Sequence, residues 1–408
     1  MPAFLELGPR KNLRTGRSVW SAVKHVHLRA NRLEKDLKTD IVIIGAGISG
    51  AFMAHALSQI SDDVVVLDRR EPGMGSTHAS TAMLQFEIDT PLTELAEQRS
   101  FSVSRRAWLR SWRATQDLIR LVRREKIACG LDRRDTLYLA GNEMGARGLE
   151  KEARARNRAG LDCEFLPGHQ LRARYGIGRT GAILITGAAA ADPVALSRGL
   201  LRIAMRRGAR LYSPVDVKQV MASAHGVVID AGTHIIQARR LVFCMGYETV
   251  KGIPARGVKI TSSWAAATAP HAAYPAWLDK TLIWEASKPY LYLRTTPDGR
   301  LIAGGEDAEL DSPSYRSDTL ARKARRLKQK TEKLLPGLDI DWSHSWAGAF
   351  GESRDGLPII GPVPDMPNCY AVMGFGGNGT IYAMIAAQLM PTFLRGKHPV
   401  DADLFAFR

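Results

Sequence analysis

Six consecutive residues, Gly45-Ala46-Gly47-Ile48-Ser49-Gly50, carry the spacing GxGxxG. A pyrophosphate can sit on such a run when a strand leads into it and a helix leaves it. Gly45 permits the tight turn, Gly47 lets backbone come close to phosphate, and Gly50 lets helix and strand lie together. The N–H groups of Ile48 and Ser49, in the first helical turn, are then donors for phosphate oxygens. Asp68 stands about 20 residues further on, where a carboxylate can take a ribose hydroxyl. Arg69 and Arg70 follow, and an Arg here can instead accept the 2′-phosphate of NADP. A dinucleotide is expected, and these residues alone leave its identity open.

Two more groups carry chemistry. Gly374-Phe375-Gly376-Gly377-Asn378-Gly379-Thr380 precedes an apolar run and reads as a loop opening a helix. Tyr290-Leu291-Tyr292-Leu293-Arg294 alternates, so Tyr290, Tyr292 and Arg294 share one face of a strand. That face suits a catalytic pocket, with tyrosines for shape and hydrogen bonds and Arg294 for an anion. The alternative is two core tyrosines and a rim charge.

The elements that must position these groups follow from periodicity. Residues 40–45 read as a buried strand, 48–60 as a helix and 64–67 as a second buried strand, one βαβ unit of a parallel sheet. The pattern over 92–124 is helical, 137–140 is expected as a strand and 143–160 as a charged helix. Asp192 caps a helix that Pro193 starts and that runs to Arg207. Strands are expected at 209–212, 226–230 and 241–245. Alternation dominates 259–305, with Asp298-Gly299 as a hairpin turn. Residues 317–335 read as a basic helix, 346–361 as irregular, 368–373 as a strand and 381–394 as an apolar helix. Near the start, Trp20, Val23, Val26, Ala30, Leu33 and Leu37 recur every three or four positions, as in an amphipathic helix.

The composition of the 408 residues is ordinary for a globular chain, with 45% hydrophobic and 24% charged residues. That excludes a disordered or fibrous protein, and no apolar run is long enough to cross a bilayer. Lys and Arg exceed Asp and Glu by 57 to 41, a formal charge of +16 that favours anionic partners. The basic stretch 321–333 lacks aromatic interleaving and a recognition motif, so no nucleic acid is expected. Cys129, Cys163, Cys244 and Cys369 are far apart, with no metal spacing, so no metal site is expected. A reducing, cytoplasmic location fits them.

Several separated motifs make the chain resemble the FAD-dependent amine oxidoreductases of the D-amino-acid oxidase, glycine oxidase and sarcosine oxidase superfamily. GAGISG with Asp68-Arg69 resembles the family's ADP-binding half. The run 75–82 (GSTHASTA) resembles its small-residue loop along the flavin, which implies Ser76, Thr77, Ser80 and Thr81 as contacts. Val215-Asp216-Val217 resembles the strand at the adenine, with Val217 as the contact, and Gly246 lies in a strand–glycine turn beside the ADP. Trp346-Ala347-Gly348 with Asp355-Gly356-Leu357-Pro358-Ile359-Ile360-Gly361 resembles the late WAG…DGxPxIG segment. Gly376, Gly377, Asn378, Gly379 and Thr380 resemble the final flavin-binding loop, whose N–H groups stabilise negative charge on reduced flavin. Tyr290 to Arg294 resembles a substrate-domain strand.

The resemblance implies an α/β fold. A discontinuous Rossmann-like FAD-binding domain (39–91, 181–255 and 341–408) joins a β-rich substrate domain with accessory helices (92–180 and 256–340). Residues 1–38 form a basic extension bearing the amphipathic helix. It also implies oxidation of the C–N bond of a small amine or amino acid, with oxygen or another acceptor taking the electrons. The rivals are C–O oxidation, as in 2-hydroxy-acid or glycerol-phosphate dehydrogenases, and a flavin-bearing subunit without activity of its own. Two departures stand out. Where glycine-oxidase-like members carry a carboxylate-binding Arg after WAG, this chain has Ala349-Phe350-Gly351. Where sarcosine-oxidase-like members use an Arg after the small-residue loop and a Lys in the last one, it has Ala82 and Ile381. Arg294, Arg354 or Lys288 would have to anchor a carboxylate, or the substrate has none beside its nitrogen. His78 lies one residue out of register with the His that attaches FAD in some relatives, so non-covalent FAD is expected.

Overall fold

The structure, a computed structural model, describes residues 3–248, 250–253 and 257–408. Ile41 to Ile44 are all buried, which suits a central parallel strand covered on both faces. This strand, Leu37–Ile44, leads through Gly45 into helix Ile48–Leu57 and on to strand Val64–Leu67. The two strands pair in parallel, Ile41 with Val64 through Ile44 with Leu67, so the βαβ unit forms. Arg210–Tyr212, Ile235–Phe243 and Cys369–Met373 extend the parallel core. The last of these brings the far end of the chain into the same sheet. Helix Ile48–Leu57 packs against Pro193–Arg206 and Gly379–Leu394. Asp192 caps the first of these partners, accepting the N–H groups of Val194 and Ala195 at 2.8 and 2.9 Å.

Among the described residues a second sheet also holds ten strands, mostly antiparallel. Its hairpin Leu291–Thr295 to Leu301–Ala308 turns at Asp298-Gly299, where Gly299 has a φ of +75°. Helix Pro313–Leu334 covers this sheet. Its basic face is spent partly inside the protein: Lys323, Arg326 and Lys330 reach the Glu306 carboxylate at 3.5, 3.5 and 2.5 Å.

Three expectations are corrected and one is refined. Residues 20–37 do not form an amphipathic helix. Only Val19–Ala22 coils, as one 3-10 turn, and Val23 and Val26 are exposed. The extension instead joins both sheets: Ala3–Leu7 pairs between Gln219–Ser223 and Val250–Lys251 in the first, and Arg14–Arg17 forms an edge of the second. Residues 92–124 form two helices, Leu92–Arg99 and Phe101–Arg124, broken where Ser100 takes a φ of +75°. The stretch 346–361 is not irregular, since Trp342–Ser353 is a twelve-residue strand beside Val258–Thr268. Finally, Gly181–Ala190 and Trp342–Ser353, grouped above with the first domain, pair within the second sheet. The boundary placed at 255–256 lies outside the described residues.

Candidate active site

A cavity of about 600 Å³ has a wall drawn from both sheets and from both ends of the chain. Gly45 turns with a φ of +108°, and a Cβ there would collide with the Cys244 carbonyl. Gly50 is packed so closely that a Cβ would meet the Gly45 carbonyl. It serves the strand–helix approach and is not part of the cavity wall, whereas Gly45, Gly47, Ile48 and Ser49 are. Asp68 and Arg69 line the same region, with Val217 and Gly246. The Asp68 carboxylate accepts the N–H groups of Ala46 and Arg70 at 2.6 and 2.7 Å, and burial raises it to about 6. Arg69 pairs with Asp216 at 3.1 Å and Arg70 with Glu248 at 2.6 Å. Both guanidiniums are thus already matched by carboxylates, which weighs against a 2′-phosphate.

Residues 75–82 pass along the cavity, with Ser76, Thr77, Ser80 and Thr81 in its wall. Their outward carbonyls are held from behind. Trp346 Nε1 donates to Ala79 O at 2.8 Å and Trp20 Nε1 to Ser80 O at 2.7 Å. Arg294 Nη1 donates to the carbonyls of Thr81, Ala82 and Ala191 at 2.8, 2.8 and 2.9 Å, and Nε to Thr295 O at 3.1 Å. Arg294 is therefore neither a catalytic anchor nor a rim charge. It is 1% exposed, absent from the cavity wall, and lowered to about 9 by burial and the nearby Arg134. Arg294 keeps the face of Tyr292, which also reaches Thr81, but on that face it meets the loop's carbonyls and not the cavity. His78 is also absent from the wall. It is buried beside Arg14, at 3.5 Å, and burial with that charge lowers it to about 4.

Tyr290 and Tyr292 do line the cavity, their rings 5.9 Å apart. Gly376, Gly377, Gly379 and Thr380 join them from the final loop. Asn378 faces away, its amide donating to Glu87 O at 2.6 Å, and so anchors the loop. Sequence reading missed several wall residues, and five of them matter for the chemistry of the wall. Tyr247 and Phe350 lie 6.5 Å apart, centroid to centroid. Gln85, Asp89 and Glu352 bring polar oxygen to the same wall. Asp89 Oδ2 accepts the Gly377 N–H at 2.6 Å, occupying a donor expected to serve the cofactor. Burial, with Glu352 and Asp307 nearby, pushes Asp89 up to about 7. No motif marks these acids; only the folded wall assembles them.

The family model for FAD dependent oxidoreductases, DAO, matches residues 40–390. The chain belongs to this family. It is accordingly an FAD-dependent oxidoreductase, and its α/β architecture is the family's. Glycine oxidase of Geobacillus kaustophilus is 22% identical over 375 residues, 88% of this chain and 93% of that one. Its crystal structure superposes with a TM-score of 0.73, covering 91% of this chain and 99% of the other at 21% identity. A putative Rieske 2Fe-2S iron-sulfur protein, YhfW, of Bacillus subtilis is 21% identical over 91% of this chain and 72% of its own. An L-α-glycerophosphate oxidase from Mycoplasma pneumoniae shares the fold at a TM-score of 0.73 and 14% identity, covering 90% and 98%. DAO proteins with different named substrates thus share this frame.

The wall of the cavity fits FAD. Ser76 Oγ is buried without a protein partner in the wall. A Cβ at Gly47 would press to 3.1 Å from Thr77 Oγ1, so the backbone there stays bare for a close ligand. Among the described residues no helix is long and apolar enough to cross a membrane.

Proposed function

We propose that this DAO-family enzyme oxidises the C–N bond of a small amine, with FAD held non-covalently. The observation that carries the reading is one cavity wall shared by the glycine turn at Gly45, the small-residue loop, the final glycine loop and an aromatic lining. In the family's frame, Gly45, Gly47 and Ser49 would hold the pyrophosphate and Asp68 a ribose hydroxyl, while the Ile48 N–H, expected as a phosphate donor, is taken by Thr77 Oγ1 at 2.9 Å. Val217 and Gly246 would border the adenosine. Ser76, Thr77, Ser80, Thr81, Gly376, Gly377, Gly379 and Thr380 would border the flavin. His78, turned from the wall, supports non-covalent binding. When bound, FAD supplies a two-electron acceptor for the hydride leaving the carbon beside nitrogen. Tyr290, Tyr292, Tyr247 and Phe350 shape the substrate space and exclude water from it, which orients the C–H bond. The resulting imine takes up water to give a carbonyl compound and ammonia or an amine.

What supports nitrogen over oxygen is the lining. The aromatic wall holds carboxyl groups rather than a buried cation, a poor setting for a phosphate or a hydroxy acid. The test is product analysis with paired amines and hydroxy analogues and an artificial electron acceptor. Ammonia and carbonyl product from the amines alone support the reading. Oxidation of the hydroxy partners alone would replace it with C–O chemistry.

A further inference from the structure

Three carboxyl groups converge on the aromatic part of the cavity. Asp89 and Glu352 are in its wall, and Asp307 lies beside Tyr290 and Ser263. Each is raised by burial first. Asp89 and Asp307 also feel one another's charge or that of Glu352. The cations nearby are engaged elsewhere. Lys323 pairs with Glu306 at 3.5 Å, Lys259 with Glu309 at 2.5 Å and Lys288 with Glu143 at 3.4 Å. Lys288 and Arg354 do reach the wall, but as exposed side chains in water, where their charge is screened. Lys288 and Lys259 act on Glu352 and Lys323 on Asp307 only from a distance, none of them forming an ion pair with the three acids among the described residues, and acids gathered so are unfavourable. A ligand carrying positive charge relieves that penalty.

A second observation points the same way. Gln85 is 8% exposed and lines the cavity, yet its Oε1 has no partner. A buried amide oxygen without a donor is costly, and an ammonium group supplies one. The rings of Tyr247, Tyr290, Tyr292 and Phe350 add faces that attract a cation.

We propose that the substrate is a diamine without a carboxylate beside its nitrogen, whose distal ammonium is held by Asp89 and Glu352 while the other nitrogen reacts. This rests on the C–N reading above and deepens it. Arg294, spent on the loop, and Ala349-Phe350-Gly351 after the WAG run remove two anion anchors, consistent with such a substrate.

The test is anaerobic calorimetry on the FAD-loaded protein with 1,4-diaminobutane, n-butylamine, 4-aminobutanoate and glycine, with flavin absorbance recorded in parallel. The diamine is expected to bind at least tenfold more tightly than the other three. Asp89→Asn keeps an acceptor for the Gly377 N–H. It and Glu352→Gln should each weaken the diamine at least fivefold and leave n-butylamine within about twofold. Tighter binding of glycine or 4-aminobutanoate than of the diamine overturns the proposal. So does diamine affinity unchanged in both variants. If n-butylamine bleaches the flavin while the diamine fails to bind, this inference falls and the C–N reading stands. If the diamine binds with the predicted pattern and no amine bleaches the flavin, the cationic site stands and the C–N reading falls.

Discussion

Gly45 shows how much a single backbone position decides. With a φ of +108° and the Cys244 carbonyl against the place of a Cβ, it admits only glycine without movement. Left-handed backbone costs an L-residue about 1–2 kcal/mol before any collision. Gly45→Ala should therefore retain less than half of the wild-type flavin, read from the ratio of flavin to protein absorbance. Glycines in a fixed spacing are legible because their chemistry is local. Asp89, Glu352 and Gln85 are not, since each is an ordinary residue until distant backbone places it in one wall. His78 gives a residue-scale test with a definite sign. Its folded pKa, near 4, lies below the unfolded value of about 6.5, so the unfolded chain takes the proton first. The stability from neutral His78 is present above about 6.5 and is lost as pH falls toward 4. Urea unfolding should show wild type losing stability relative to His78→Asn across that window. Parallel curves for the two proteins would refute the assignment of a buried neutral imidazole.

At the scale of elements, Arg294 belongs to its strand and also to the loop it clamps. Its four carbonyl partners need a donor, and a buried carbonyl left unpaired costs about 1–3 kcal/mol. Arg294→Met should lower stability by more than about 2 kcal/mol and loosen flavin, with Arg294→Lys intermediate. The ranking of amines by affinity should not change in Arg294→Lys, whereas loss of one carboxylated substrate alone would restore Arg294 as an anchor. The strand itself was legible from alternation; the destination of its fourth side chain depended on a loop two hundred residues away. Other elements misled for local reasons. The apolar spacing after Trp20 is real, yet Trp20 is drawn to the Ser80 carbonyl and Val23 and Val26 are left in solvent. Ser100 breaks a helix without Gly or Pro to announce it. Trp342–Ser353 is rich in Gly, Ala and Ser, so its pairing with Val258–Thr268 leaves no hydrophobic period to read.

At the scale of the molecule, the first seventeen residues tie the two sheets together. Ala3–Leu7 pairs with Gln219–Ser223 in one, and Arg14–Arg17 completes an edge of the other. Between them Leu7 and Leu13 reach the cavity wall, and Lys11 N–H meets Glu248 at 2.9 Å. Removing residues 1–17 should expose both edges, raise amide exchange in Gln219–Ser223 and Trp342–Ser353 together, and weaken flavin retention. Protection lost in one strand alone would contradict a shared tie. The expectation of a nucleotide-binding part and a β-rich part came from motifs at opposite chain ends. Which strands cross between them could not, because strand exchange is a matter of long-range pairing. The most direct measurement of C–N oxidation is an anaerobic absorbance titration of the purified flavoprotein with amines and their hydroxy analogues. The expected result is stoichiometric bleaching of oxidised flavin by an amine, with no change from its hydroxy partner. Bleaching by the hydroxy compound, with every amine inert, would contradict it.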